Sequence, residues 1–421
     1  METQFWQVAR RLPSIDDYLT GIVDAVCDHR SVVAILQPGV DAQDVLADIR
    51  IRLRLRGGCW RAYSSEALAE QVGMDCRGRV ALAQLLDRAL DGADVLLVHG
   101  LGNVSAELGD QLLGDLLAWS ASPPPDDVEP VFRAFCLIDP AAVLQGKLAL
   151  ATSNSFVELH WWWGFPSSLE LRLATRLLFD DGDAEWLECI VAGASAGDLA
   201  SAAALWQERP STSAQTADVL SQVWCSVGGI RSGEATAPAS PVVGTPTARV
   251  GLEPPTRYRD AWAAGCVVAS PEFGLEYHPA YLAARGQLTD IDQRIWRGQA
   301  STLLPLADGV RLSASRFLCL RYGDKWYRRL GATPRTAEDA IRLEQNPLDA
   351  ELGLLESALR SPALSPDGRL WLARIELVRE VRNELAHYRP IHRDLFDSFV
   401  VAARDALASR SLDRQVAELR R

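Results

Sequence analysis

The sequence predicts a multidomain α/β + α chain: a parallel-sheet domain over residues 1–150, a mainly helical middle, and a helical bundle from residue 288 to 421. Three observations carry this. Short apolar runs alternate with amphipathic helical patterns through the first 150 residues, a stretch rich in Ser, Thr, Pro, Ala and Gly fills 231–256, and from Thr289 onward the periodicity is helical throughout. A length of 421 residues agrees with two to four domains, at roughly 100–200 residues each.

Ser31-Val-Val-Ala-Ile-Leu36 is a β-branched run ended by Gln37-Pro38-Gly39, and a helical pattern follows from Asp41 to Leu55 through Val45, Leu46, Ile49 and Leu53. A second helix over 79–90 leads to the run Asp94–His99 and then Gly100-Leu-Gly102. A third helix, 105–119, precedes the prolines 123–125 and the run Phe132–Ile138. Apolar strands joined by amphipathic helices are the pattern of parallel strands with crossover helices.

Such domains often carry a glycine-rich phosphate loop after the first strand, with a lysine to meet the phosphate charge. Here that segment reads Leu36-Gln-Pro-Gly-Val-Asp-Ala-Gln-Asp44, with no Gly-Lys-Ser/Thr and no second glycine. After the later strand, where acids could hold magnesium, the chain reads Val98-His99-Gly100; the Gly100/Gly102 pair reads as a tight turn. The layout resembles the regulatory NTPase-like domains of the STAND class with the phosphate machinery missing. That resemblance implies a degenerate, scaffold-like domain, no nucleotide cofactor and no ATP hydrolysis.

Residues 151–230 read as helices over 167–179, 183–192, 198–208 and 215–225. Trp161-Trp162-Trp163 could suggest an aromatic platform, but three consecutive side chains cannot share one face of a helix or a strand, so packing is the expectation. After the linker-like 231–256 come a short helix, Tyr258–Ala264, and two apolar runs, Cys266–Ala269 and Leu275–Tyr277. Over 257–287 this looks like a winged-helix module. It lacks a basic recognition helix, which favours structure or partner contact over DNA reading.

Composition excludes several classes. The net charge is −12, and no apolar stretch is long enough to span a membrane. The polar, acidic start Met1-Glu-Thr-Gln is unlike a signal peptide, so a cytoplasmic location is expected. The eight cysteines are scattered without a Cys-x-x-Cys, which argues against a metal site and for mostly buried thiols. His29, His99, His160 and His278 have no companions at useful spacing and read as structural. Of the 43 basic residues only Lys147 and Lys325 are lysines, a bias expected of a GC-rich bacterial genome. Most of the surface is acidic, so nucleic acid could bind only at a local basic site.

In the C-terminal part, a helix from Thr289 is interrupted or restarted at Pro305 and runs on through Leu320. Further helices are expected over 336–344, 348–360, 369–388 and 392–410. On a helical wheel with Trp371 at zero, Ile375, Val378, Leu385 and Ala386 fall within ~60° and define a buried face. Arg382 falls at about 20°, inside that stripe. A buried guanidinium needs a carboxylate, a carbonyl or a phosphate. On the flank, Asn383 and His387 stand four apart and can touch. The last turn of a helix favours a cation, and histidine changes charge near neutral pH.

Arg382-Asn-Glu-Leu-Ala-His387 resembles the Arg-Asn-x-x-Ala-His motif of the HEPN superfamily, and the resemblance covers about residues 288–412. It implies a homodimer formed through the C-terminal bundle, with two motifs meeting in one cleft that cleaves RNA without a metal. His387 would serve as acid/base, and Arg382 would hold the scissile phosphate. Asn383 would orient the histidine or contact the phosphate. Glu376 or Glu380 would be the acidic residue often found upstream, and His392 stands nearby.

The sequence thus points to a bacterial conflict or antiphage-defence effector, a HEPN endoribonuclease restrained by its N-terminal domains and possessing further partner proteins of a defence system. The alternative is a noncatalytic HEPN dimerisation or adaptor subunit.

Overall fold

The computed structural model describes residues 4–68, 95–120, 134–144, 157–178, 184–228, 253–362 and 364–419. The expected helix 79–90, the prolines 123–125 and nearly all of 231–256 lie outside the described residues. The chain divides into two compact units. The first is Met1–Ala184, Ala194–Arg209 and Ala217–Gln287; the second is Glu185–Gly193, Pro210–Thr216 and Leu288–Arg421.

The first unit begins with α1 (Gln4–Ala9), α2 (Pro13–Cys27), β1 (Ser31–Leu36) and α3 (Ala42–Leu55), then β2 (Trp60–Ser64), β3 (Val95–His99), α4 (Ala106–Ser120), β4 (Ala134–Pro140), a single turn α5 (Ala141–Leu144) and β5 (Val157–Trp161). The five strands form one sheet in the order β2-β3-β4-β1-β5, and every pair is parallel. All six residues of β1 are buried, as a strand covered on both faces requires. Val33 and Ile35 face a core shared with Leu112, Leu116 and Trp119 of α4. Alternation turns Val32 and Ala34 to the opposite face, where α2 and α3 pack with buried Ile22, Val26 and Ile49.

Two strands differ from expectation. β2 has the partly exposed pattern of an edge strand and lacks the apolar run that marks β1, β3 and β4. β5 pairs with β1 from Val157 to Trp161, so the sheet extends past the expected boundary at 150 into the segment read as purely helical. The tryptophans are buried, as packing demands, and split between faces. Trp161 and Trp163 meet Trp262 at 5.9 and 5.7 Å, while Trp162 meets Tyr18 at 5.0 Å and Phe165 at 4.8 Å.

Next come α6 (Ser168–Leu178), α7 (Ala184–Ala194), α8 (Leu199–Glu208), α9 (Ser213–Gly228), α10 (Thr256–Ala263), the antiparallel hairpin β6 (Val267–Ser270) and β7 (Gly274–Tyr277), and α11 (Pro279–Ala284). The 257–287 segment is not the separate winged-helix-like module expected. Trp262, Val267, Ala269 and Leu275 join the same core as the parallel sheet, because a helix and a four-residue hairpin have no core of their own.

The second unit is helical: α12 (Leu288–Tyr322), α13 (Trp326–Arg329), α14 (Ala337–Gln345), α15 (Leu352–Leu359), α16 (Pro366–Ala386) and α17 (Arg393–Leu419). Helix α12 runs unbroken through Pro305, contrary to the expected interruption. Its buried residues continue on both sides of the proline, through Leu303, Ala307, Val310, Ala314 and Leu318, against α16 and α17. That packing outweighs the ~3 kcal/mol cost of a proline inside a helix. Among the described residues no helix is long and apolar enough to cross a membrane.

Within this unit α7 and α12 touch through their backbones. A Cβ on Gly298 would stand 2.1 Å from the Cys189 carbonyl oxygen, and one on Gly193 would stand 2.4 Å from that of Arg294. Gly298→Ala should therefore destabilise the unit by about 1–3 kcal/mol or more, read as a lower urea midpoint. An unchanged midpoint would show that the helices part without cost.

Candidate functional site

Helix α16 carries the Arg382–His387 motif. It starts at Ser365-Pro366, where proline needs no helical partner for its nitrogen, and it buries Trp371, Ile375, Val378, Val381 and Leu385. His387 is its C-cap, with the backbone N–H donating to the Asn383 carbonyl at 3.2 Å. Tyr388 then takes a left-handed φ of 59°, and Pro390 prevents resumption of the helix.

Two side chains of α12 fix that end. The Trp296 indole N–H donates to the Leu385 carbonyl at 2.7 Å, and its ring lies 4.9 Å from that of Tyr388. Gln299 is fully buried; its amide N–H donates to the Ile391 carbonyl at 3.0 Å while its oxygen accepts the Ile391 N–H at 2.8 Å. The three residues between His387 and Ile391 are thus pinned at both ends.

The structure corrects the placement of Arg382. Its position on the wheel falls within the apolar stripe, yet it is exposed, and so is Ala386; Val381 and Leu385 occupy the buried places instead. At Arg382 the stripe faces an open groove rather than a neighbouring helix, so no internal partner is required. Among the described residues the side chains of Arg382, Asn383 and His387 have no hydrogen-bond or ion-pair partner. Glu376 is committed to Arg360 at 2.8 Å, whereas Glu380 is exposed and unpaired among the described residues. His392 is exposed just before α17.

The groove holds about 730 Å³ and is lined by Arg382, Asn383 and Arg379 of α16, Arg311 of α12, Arg335, and Arg342 of α14. His387 is one turn beyond Asn383 and is not part of this lining. Contributors outside the motif include Trp296, Gln299 and Arg335. Gln299 left a trace in the sequence, a polar amide in the apolar row Ile291, Ile295, Leu303. Arg335 left none.

In the first unit, the strand ends that could face a nucleotide are engaged by the protein itself. After β1 the chain turns through Gly39 (φ 94°), and the buried Gln37 amide donates to Asp198 at 2.6 Å. Asp41 caps α3 by accepting from the Gln43 N–H at 2.8 Å, which puts a carboxylate where a helix N-terminus would attract an anion. At the end of β3, His99 lies 2.9 Å from the Gln43 amide; burial first, and Arg50 second, lower its pKa. At the end of β4, Asp139 accepts from the Gly100 and Leu101 N–H groups at 3.0 and 3.1 Å.

Three histidines read as lacking companions therefore have them: two contacts join residues distant in sequence, and the third joins neighbours on one face of β5. His99 meets Gln43, His160 meets Glu158 at 3.1 Å, and His278 meets Asp198 at 3.4 Å. Burial works to raise the Asp198 pKa, but the charge and hydrogen bond of His278 and the bonds from Ser201 outweigh it, and the pKa is lowered. Among the described residues no group of three His, Cys, Asp or Glu side chains could hold a metal ion.

No protein-family model matches the chain, and no curated protein matches it in sequence. Among solved structures, Cdc6p from Pyrobaculum aerophilum is similar at 12% identity and a TM-score of 0.35, over 89% of this chain and 96% of that one. A structure of Drosophila ORC bound to poly(dA/dT) DNA and Cdc6 is similar at 11% identity and a TM-score of 0.27, over 97% of this chain and 73% of that one. The five-stranded parallel sheet with its helices fits an NTPase-like domain by its own architecture.

Gln299→Leu leaves the Ile391 N–H and C=O without their partner and should cost about 2–5 kcal/mol, measured by chemical denaturation. Asp198 stabilises the fold above the pKa of an unfolded aspartate, about 3.9, and that contribution is lost as the pH falls through its depressed folded value. Asp198→Asn should flatten the loss of stability between about pH 5 and pH 2, followed by denaturation midpoints against pH. Parallel curves for variant and wild type would exclude the linkage.

Proposed function

We propose that the second unit is a HEPN-type, metal-independent endoribonuclease acting as a homodimer. The observation that carries this reading is an arginine and a histidine, five residues apart, both exposed and both without a partner among the described residues, on a helix end held by Trp296 and Gln299. Buried charged side chains end in ion pairs or hydrogen bonds, as Glu356 does with Arg379. Side chains left uncommitted on a rigid support are available to a ligand.

In this reading the RNA 2′-OH attacks the adjacent phosphorus and the 5′-oxygen leaves. His387 takes or supplies the proton at one of these oxygens, and the Arg382 guanidinium neutralises charge gathering on the phosphoryl oxygens. Asn383, one turn before His387, orients the imidazole or contacts the phosphate. Glu380 rather than Glu376 is the upstream carboxylate without a partner among the described residues, since Glu376 is paired with Arg360. The first unit would restrain the nuclease without hydrolysing ATP. Gln37, Asp41 and His99 support that role, since each is already engaged with protein where a nucleotide would bind. A place in bacterial conflict or antiphage defence agrees with a restrained ribonuclease.

A second reading, a noncatalytic adaptor that only dimerises through this bundle, is favoured by one observation: His387 lies outside the groove that Arg382 lines. Incubation of the full chain with labelled RNA in EDTA separates the two. Cleavage that falls at least about 100-fold in both Arg382→Ala and His387→Ala is expected of the nuclease. Cleavage retained in both variants, or none under any activating condition, sinks it.

A further inference from the structure

We infer that the arginine-lined groove is the track for a single RNA strand, in which Arg335 binds a second backbone phosphate at a distance from the one held by Arg382. This rests on the ribonuclease reading for its reacting end.

The argument begins with which cations are spoken for. Five arginines line the groove, against the carboxylates of Asp308, Asp349 and Glu351. Arg311 is bound to Asp308 at 2.8 Å and donates to the carbonyls of Leu348 and Ala350 at 2.8 and 3.0 Å, so it fastens one wall to α12. Arg342 pairs with Asp339, and Arg379 pairs with the buried Glu356. That leaves Arg335 and Arg382, each exposed and neither with a partner among the described residues. They stand on different elements, the connector before α14 and helix α16.

The position of Arg335 is fixed by its neighbours. Pro334 precedes it, and Thr336 follows as the N-cap of α14 in a reciprocal capping box with Asp339. A guanidinium on such a stiff support loses little freedom when it takes up a phosphate.

A second hollow adjoins the groove. Arg335 and Arg342 also line a second hollow of about 470 Å³, together with Pro334, Asp339 and Leu354. The two hollows share Arg335, Arg342, Asp349, Glu351 and Gly353 in their linings, while Arg382 lines only the larger. Each hollow is of the size that holds a small molecule, so the adjoining pair gives room for successive nucleotides of one strand and not for a duplex. A row of phosphates meeting separate guanidinium groups is how nonspecific single-strand sites work.

The test uses the full chain carrying His387→Ala and a short fluorescent oligoribonucleotide, with binding read by anisotropy across a salt series. Adding Arg335→Ala should weaken binding about five- to tenfold and reduce the slope of log K against log salt by about 0.7, the loss of one single-strand phosphate contact. Arg321→Ala, an exposed arginine outside the groove, should change neither. In the chain with His387 intact, Arg335→Ala should raise KM with kcat retained. Unchanged affinity and slope in Arg335→Ala, no RNA binding by the parent chain, or equal binding of a duplex each overturns the proposal. If wild type never cleaves RNA but Arg335→Ala still loses affinity and slope, the track stands and the nuclease reading falls.

Discussion

The C-terminal unit depends on a buried amide. Gln299 holds both backbone groups of Ile391, and one turn earlier Trp296 holds the carbonyl of Leu385. A helix end has carbonyls without intrahelical partners, and a following connector has unpaired groups of its own. Here one partner helix supplies both needs from positions three apart on the same face. The motif helix therefore ends at a defined residue with a defined exit direction. The exposed side chains around Arg382 and His387 inherit that order, although neither contributes to it.

The first unit spends its polar groups differently. Gln37, Asp198 and His278 come from a strand end, a helix cap and a second helix cap, and they close on one another in the interior. Asp198 is almost fully buried and is stabilised by donors from three segments, the arrangement a buried charge requires. Such a network favours one arrangement of the elements it joins. It also engages the Gln37 side chain directly after β1.

How far the sequence foretells this depends on how local each signal is. The strands 31–36 and 95–99 announce themselves because both faces are covered and all their residues but Ser31 and His99 are apolar. Strand 60–64 does not, because an edge strand tolerates exposed Arg61 and keeps only weak alternation. The triple tryptophan forecasts its own division between two faces from stereochemistry alone. The motif helix is legible from its periodicity, but the exposure of Arg382 is not: a wheel gives an angle and says nothing of whether a neighbour stands there. Arg335 is legible only in three dimensions, since its role comes from which other arginines are already paired. The histidine contacts are hidden for the same reason, each joining distant segments or depending on strand direction.

The backbone contact between Gly193 and Gly298 reaches beyond stability. A helix encoded about a hundred residues earlier, Glu185–Gly193, belongs to the same unit as Leu288–Arg421 and lies against it without intervening side chains. The bundle is thus discontinuous in the gene. A protease that cut the intervening chain would not free an intact C-terminal module, and a clone starting at Leu288 would carry an open furrow along its longest helix.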